Sequence, residues 1–259
     1  MCSSDLQRRQ TELQEQFAFV AACNVGEERM DPQRIDTLRQ IGAQPWQRHF
    51  DDRLGLGWEE LQRRAGPEAT LPAPETLLAD QPWHRIRRDP GTIPDPVHGF
   101  QMPIPELLRN HGELYNLSIL SGTLTAEERY TINEHIVQTI LMLEALPFPR
   151  WLQRVPYYAG THHETLQGSG YPRALKADQL SVPARIMAIA DVFEALTAPD
   201  RPYKKAKTLS ESIAILAGFR DRGQIDPELF ELFLRSGVYR TYAERYLRPE
   251  QIDAVAIEP

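Results

Sequence analysis

The chain has 259 residues, 41% hydrophobic and 25% charged, with a formal net charge of −7. This is room for one or two ordinary domains. The acidic balance argues against a DNA or RNA partner and requires local cations for any anionic ligand. No apolar run approaches the ~18–20 residues of a membrane helix.

Residues 7–22 pass from charged to apolar, which predicts a helix that starts solvated and ends packed. A second helical pattern runs from Ile35 to Ala65, amphipathic around Trp58-Glu-Glu-Leu-Gln-Arg-Arg. Cys2 and Cys23 are too few for a disulfide framework and form no metal-spaced pair. No signal peptide is visible, and reduced thiols in a cytoplasmic protein are expected. Residues 66–105 carry nine prolines. Proline removes a donor and breaks helices, so this stretch is expected to be an extended linker or an irregular insertion.

From about residue 106 the pattern is helical. Thr125-Ala-Glu-Glu128 is a capping box. After it Ile132, Ile136, Ile140 and Leu143 recur at three- and four-residue steps, predicting one buried face that Pro147 and Pro149 end. Ser181 and Pro183 fit the N-cap and first turn of a helix through Ile186 to Leu196 that is apolar nearly all round and so expected to be buried. Thr208-Leu-Ser-Glu211 opens a helix to about Phe219, Asp226-Pro227 another to about Arg235, and Pro249-Glu250 a short last one. Almost nothing alternates with period two. The expected fold is all-α: a helical and proline-rich segment over 1–105, then a helical bundle over 106–259.

Five features could carry chemistry. His135 lies on or beside the buried face of its helix, where a lone imidazole is either structural or a ligand. His162-His163 stand directly before the glycine-rich turn Gly168-Ser-Gly170-Tyr171-Pro172. That turn is either a tight surface loop or a close backbone approach to a ligand. Asp191 is one carboxylate in an apolar run, either salt-bridged, to Arg185 or Arg201, or a metal ligand. Arg201, Lys204 and Lys205 follow, either a solvated charge run or cations for phosphate. Paired histidines with an isolated aspartate suit a divalent-metal site for phosphate-ester hydrolysis.

Together these motifs resemble the HD-GYP family: His162-His-Glu-Thr-Leu-Gln-Gly-Ser-Gly-Tyr-Pro172, then Ser181-Val-Pro-Ala-Arg-Ile-Met-Ala-Ile-Ala-Asp191, then Asp200-Arg-Pro-Tyr-Lys-Lys205. The resemblance covers about residues 114–235. It implies a helical bundle of the HD-domain type with two or three metal ions, iron or manganese. The implied activity is hydrolysis of cyclic di-GMP behind a sensory or receiver domain. It implies His135, His162, His163 and Asp191 as metal ligands. Gly170, Tyr171 and Pro172 would border the substrate, and Arg201 and Lys204 would face its phosphates.

The family's His-Asp dyad is absent, since none of the seven histidines is followed by aspartate. With the adapter-like opening Met-Cys-Ser-Ser-Asp-Leu, the expectation is a C-terminal portion of a longer signalling protein, inactive or weak alone and capable of self-association. The alternatives are a catalytically silent binding module and a phosphohydrolase acting on another nucleotide.

Overall fold

The computed structural model describes residues 3–64, 66, 69–198 and 207–255. Among these the protein is mainly helical, with short strand pairs, and it divides into two compact units.

The first unit comprises Met1–Ile93 and Ile104–Thr131. Its helices are α1 (Ser3–Val25), α2 (Pro32–Gly42), α3 (Trp58–Arg63) and α4 (Glu113–Leu117), with the start of α5 (Ala126–Glu144). Asp31 caps α2 by accepting the Gln33 N–H at 2.9 Å, and Pro32 occupies its first turn. The helix buries Ile35, Leu38 and Ile41, and Ile35 and Leu38 pack with Cys23, Met30 and Leu117. The proline-rich stretch forms short strands and 3₁₀ turns rather than one extended linker. Strand β2 (Pro45–Arg48) pairs antiparallel with β3 (Ala73–Thr76), with Trp46 opposite Glu75. Likewise β1 (Glu27–Arg29) pairs with β6 (Ser121–Gly122), and β4 (Arg85–Arg87) with β5 (Leu107–Asn110). Trp58 stays exposed.

The second unit comprises Pro94–Pro103 and Ile132–Pro259. It contains the rest of α5, then α6 (Val155–Gly160), α7 (Val182–Thr197), α8 (Leu209–Asp221), α9 (Pro227–Arg235) and α10 (Val238–Tyr246). Both expected capping boxes form. The Thr125 hydroxyl accepts the Glu128 N–H at 3.1 Å while Glu128 accepts the Thr125 N–H at 2.9 Å; Thr208 and Glu211 do the same for α8. Phe193, Phe230, Tyr239, Leu209, Ile213 and Leu216 form the core of α7–α10. The helix from Val238 was not expected; the expected last helix is a 3₁₀ turn, Pro249–Gln251. The Gln251 side chain is buried and donates to the Thr197 and Lys207 carbonyls at 2.9 and 3.2 Å, joining the end of α7 to the approach to α8.

Two burial expectations are corrected. Ile136 and Ile140 are buried, but Ile132 is 53% exposed. Helix α7 is not buried all round: Ala184, Ala188, Ile189 and Phe193 face the core, while Val182, Ile186 and Met187 are exposed.

Candidate metal centre

Three histidines converge in the second unit. On α5, burial of Ile136, Val137 and Ile140 turns the adjacent His135 to the exposed edge of that face. Its Nδ1 lies 2.6 Å from the Ile132 carbonyl oxygen. A carbonyl can only accept, so Nδ1 carries the proton and Nε2 presents a lone pair. His162 follows α6 and repeats the arrangement, with Nδ1 2.7 Å from the Ala159 carbonyl oxygen. Helix α6 lies close to α5 because Gly160 has no side chain; a Cβ there would stand 2.7 Å from Ile140 Cγ1.

His163 sits among its partners. Its Nε2 is 3.2 Å from His135 Nε2, and its Nδ1 is 3.4 Å from Asp191 Oδ2 on α7. Its ring centroid is 4.0 Å from that of His162 and 4.8 Å from that of Tyr171. One ligand atom from each of His135, His162 and His163 lies within 4.8 Å of the others. Asp191 pairs with His163 rather than with Arg185, which binds Asp226 at 2.9 Å.

The electrostatics suit a cation. Burial, and then the nearby His163, push His162 below the ordinary imidazole value, keeping it unprotonated and able to ligate. The His163 hydrogen bond holds the Asp191 carboxyl below its usual range against the opposing effect of burial. Burial, and then the Asp191 charge, push the Tyr171 hydroxyl up to about 12, so it remains a donor. Three imidazoles and a carboxylate match the donor preference of borderline first-row divalent ions. The Nδ1–H···O=C bonds are the second-layer contacts that aim ligating imidazoles.

The glycine-rich turn abuts these residues. A Cβ on Gly170 would lie 2.4 Å from Glu164 Cα and 2.5 Å from the His163 carbonyl oxygen, so only glycine fits there. The Tyr171 N–H donates to that same carbonyl at 3.2 Å. Pro172 is buried and follows a cis peptide bond. Arg201 and Lys204 lie outside the described residues.

Sequence reasoning missed Glu164. It is 3% exposed and accepts the backbone N–H groups of Arg173 and Leu175 at 2.7 and 2.9 Å. Burial pushes its carboxyl up, while those N–H groups oppose the rise. The available signal was its position, a carboxylate opening a loop whose backbone N–H groups lie outside helix and strand ladders. Arg173 was missed too; its guanidinium donates to the His98 carbonyl at 2.9 Å and pairs with Glu144 at 3.2 Å.

A model of the HD domain matches residues 91–229. The chain is 44% identical over 79 residues to 3'3'-cGAMP-specific phosphodiesterase 1 of Vibrio cholerae, covering 30% of this chain and 18% of that protein. It is 41% identical over 115 residues to the cyclic di-GMP phosphodiesterase response regulator RpfG of Xanthomonas campestris pv. campestris, covering 44% and 29%. Against a cyclic di-GMP phosphodiesterase of Thermotoga maritima it is 36% identical over 114 residues, covering 44% and 30%. The matches thus span less than a third of the length of each of these relatives. The HD-domain match takes in more than half of this chain, including all three convergent histidines and Asp191, and the chain belongs to the HD-domain family.

Proposed function

We propose that this chain supplies His135, His162, His163 and Asp191 to the metal site of a phosphodiesterase that hydrolyses a cyclic dinucleotide, cyclic di-GMP first. The observation that carries the proposal is the pair of Nδ1–H···O=C bonds at 2.6 and 2.7 Å, which leave the Nε2 lone pairs of His135 and His162 free beside His163. The relatives, named as cyclic di-GMP and 3'3'-cGAMP phosphodiesterases, supply the substrate class.

Each residue has a task in this reading. The three imidazoles would hold one ion, iron or manganese, and Asp191, which faces His163 Nδ1, would serve a second or third where a His-Asp dyad completes the site. When bound, a divalent ion lowers the pKa of water and offsets charge on phosphoryl oxygens. Tyr171, protonated at neutral pH, borders the substrate with Gly170 and Pro172 and offers a hydrogen bond. Arg201 and Lys204 would pair with the non-bridging phosphate oxygens. The site falls within residues 106–259, with 1–105 as an insertion, in a cytoplasmic signalling protein with a sensory or receiver domain.

One observation favours a second reading: no histidine in the sequence is followed by aspartate. A silent module that binds the dinucleotide without cleaving it fits that fact. The test is chromatography of cyclic di-GMP and 3'3'-cGAMP incubated with the iron- or manganese-loaded chain, alone and mixed with an HD-GYP segment bearing the His-Asp dyad. Linear dinucleotide formed in the mixture, and lost with His162→Ala/His163→Ala, supports the enzyme. Binding without cleavage in every mixture supports the silent module.

A further inference from the structure

We propose that Glu164 is a positioning residue for the metal centre: its carboxylate closes the loop 164–175 so that Tyr171 packs on His163 and fixes the aim of that imidazole. What that aim serves rests on the metal reading above; the loop geometry does not.

The carboxylate has no access to the convergent histidines as a ligand, because both oxygens are engaged elsewhere. One accepts the Arg173 N–H at 2.7 Å and the other the Leu175 N–H at 2.9 Å. Between these donors stands Ala174 at φ +53°, the one non-glycine residue with positive φ among the described residues. A side chain in that left-handed region is costly, and such a conformation persists only where its surroundings over-determine it. Two charge-assisted hydrogen bonds, one on each side of Ala174, supply that determination.

The closed loop then acts on His163. Gly170 is pressed against the His163 carbonyl and the backbone of Glu164 and Thr165, and the Tyr171 N–H donates to the same carbonyl. The Tyr171 ring is left against the His163 imidazole, centroids 4.8 Å apart and planes 31° apart. With that face covered, the His163 ring keeps Nδ1 towards Asp191 and Nε2 towards His135. An amide at position 164 cannot replace the acid. It offers one acceptor oxygen, and its NH₂ would meet the second backbone N–H donor to donor.

The test uses the full 259-residue chain and two readouts. The first needs no metal: ¹⁵N shifts of the imidazoles, with His163 assigned from His163→Gln. The wild type should show the His163 ring in one fixed tautomer, and Glu164→Gln a mixture. The second is Mn²⁺ titration calorimetry, in which Glu164→Gln should lose about tenfold or more in affinity. Tyr171→Leu leaves the Glu164 bonds in place but uncovers His163. It should reproduce the tautomer mixture, and it decides the matter if Glu164→Gln fails to fold. The wild-type tautomer retained unmixed in a folded Glu164→Gln, or in Tyr171→Leu, overturns the proposal. A wild type that binds no Mn²⁺ overturns the metal reading instead, and the tautomer comparison still judges the loop.

Discussion

The Nε2 atoms of His135 and His163 face each other at 3.2 Å. The proton of His135 is on Nδ1, bound to the Ile132 carbonyl, so its Nε2 is a lone pair. With the His163 Nδ1–H turned to Asp191, its Nε2 is a lone pair as well. Two lone pairs at that separation repel unless a proton or a cation comes between them. His163 therefore joins the imidazole cluster to Asp191 and should matter most to cation binding. His163→Ala is expected to weaken Mn²⁺ by at least about tenfold, while His98→Ala in the same unit changes it by less than about twofold. Calorimetric titration of both variants checks this.

Gly170 tests the seat of the glycine-rich turn. A methyl group there meets backbone atoms at 2.4, 2.5 and 2.6 Å, none of which belongs to a flexible side-chain end. Gly170→Ala should cost roughly 2–3 kcal/mol of unfolding free energy, read by urea denaturation. It should also weaken Mn²⁺ binding by lifting Tyr171 off His163. Unchanged stability would mean that the turn does not press on the His163 carbonyl.

Arg185 and Asp226 give the fold its pH signature. Burial alone would raise the Asp226 pKa, but the Arg185 hydrogen bond and the Leu229 and Glu228 N–H groups outweigh it and hold the carboxyl below its usual 3.8. The folded state thus stays ionised where the unfolded chain takes up a proton. The pair contributes stability in full above 3.8 and loses it as pH falls through the lower folded value. Arg185 also donates to the Leu180 and Ala177 carbonyls at 2.8 and 2.6 Å. Arg185→Ala should lose about 2 kcal/mol at neutral pH. In urea unfolding across the acid range, the gap from the wild type should narrow below 3.8.

Two N-cap positions should respond unequally. Thr208 accepts the Glu211 N–H at 3.3 Å, and Thr208→Ala should cost about 1 kcal/mol. Ser181 occupies the N-cap of α7, but its hydroxyl makes no cap bond and is buried without a partner. Ser181→Ala should be neutral to within about 0.5 kcal/mol. Thermal unfolding of the two variants compares them directly.

Signals that are local in sequence were legible. The Thr125 and Thr208 capping boxes rest on contacts three residues apart, and the Asp226 cap on a single turn. Type and spacing marked the residues at the centre only as candidates, two adjacent imidazoles, a histidine beside a buried face and a carboxylate in an apolar run; the resemblance to the HD-GYP family joined them into one set. What escaped depends on distant partners. Glu164 binds only backbone N–H groups, which no residue letter announces. The apolar surround of α7 did not reveal that Val182, Ile186 and Met187 would remain exposed, because periodicity reports amphipathicity and not what covers a face. Helix α10 is hidden by its polar Arg240-Thr-Tyr-Ala-Glu-Arg245 run. The paired strands, two to four residues each, are too short to show alternation.

The central claim is that the convergent histidines, with Asp191 beside His163, form a divalent-metal site. Elemental analysis of metal per chain tests it most directly, on protein expressed with iron and manganese supplied, beside His162→Ala/His163→Ala. The account predicts near-stoichiometric metal in the wild type and its loss in the double variant. Metal no higher in the wild type than in the double variant would contradict it.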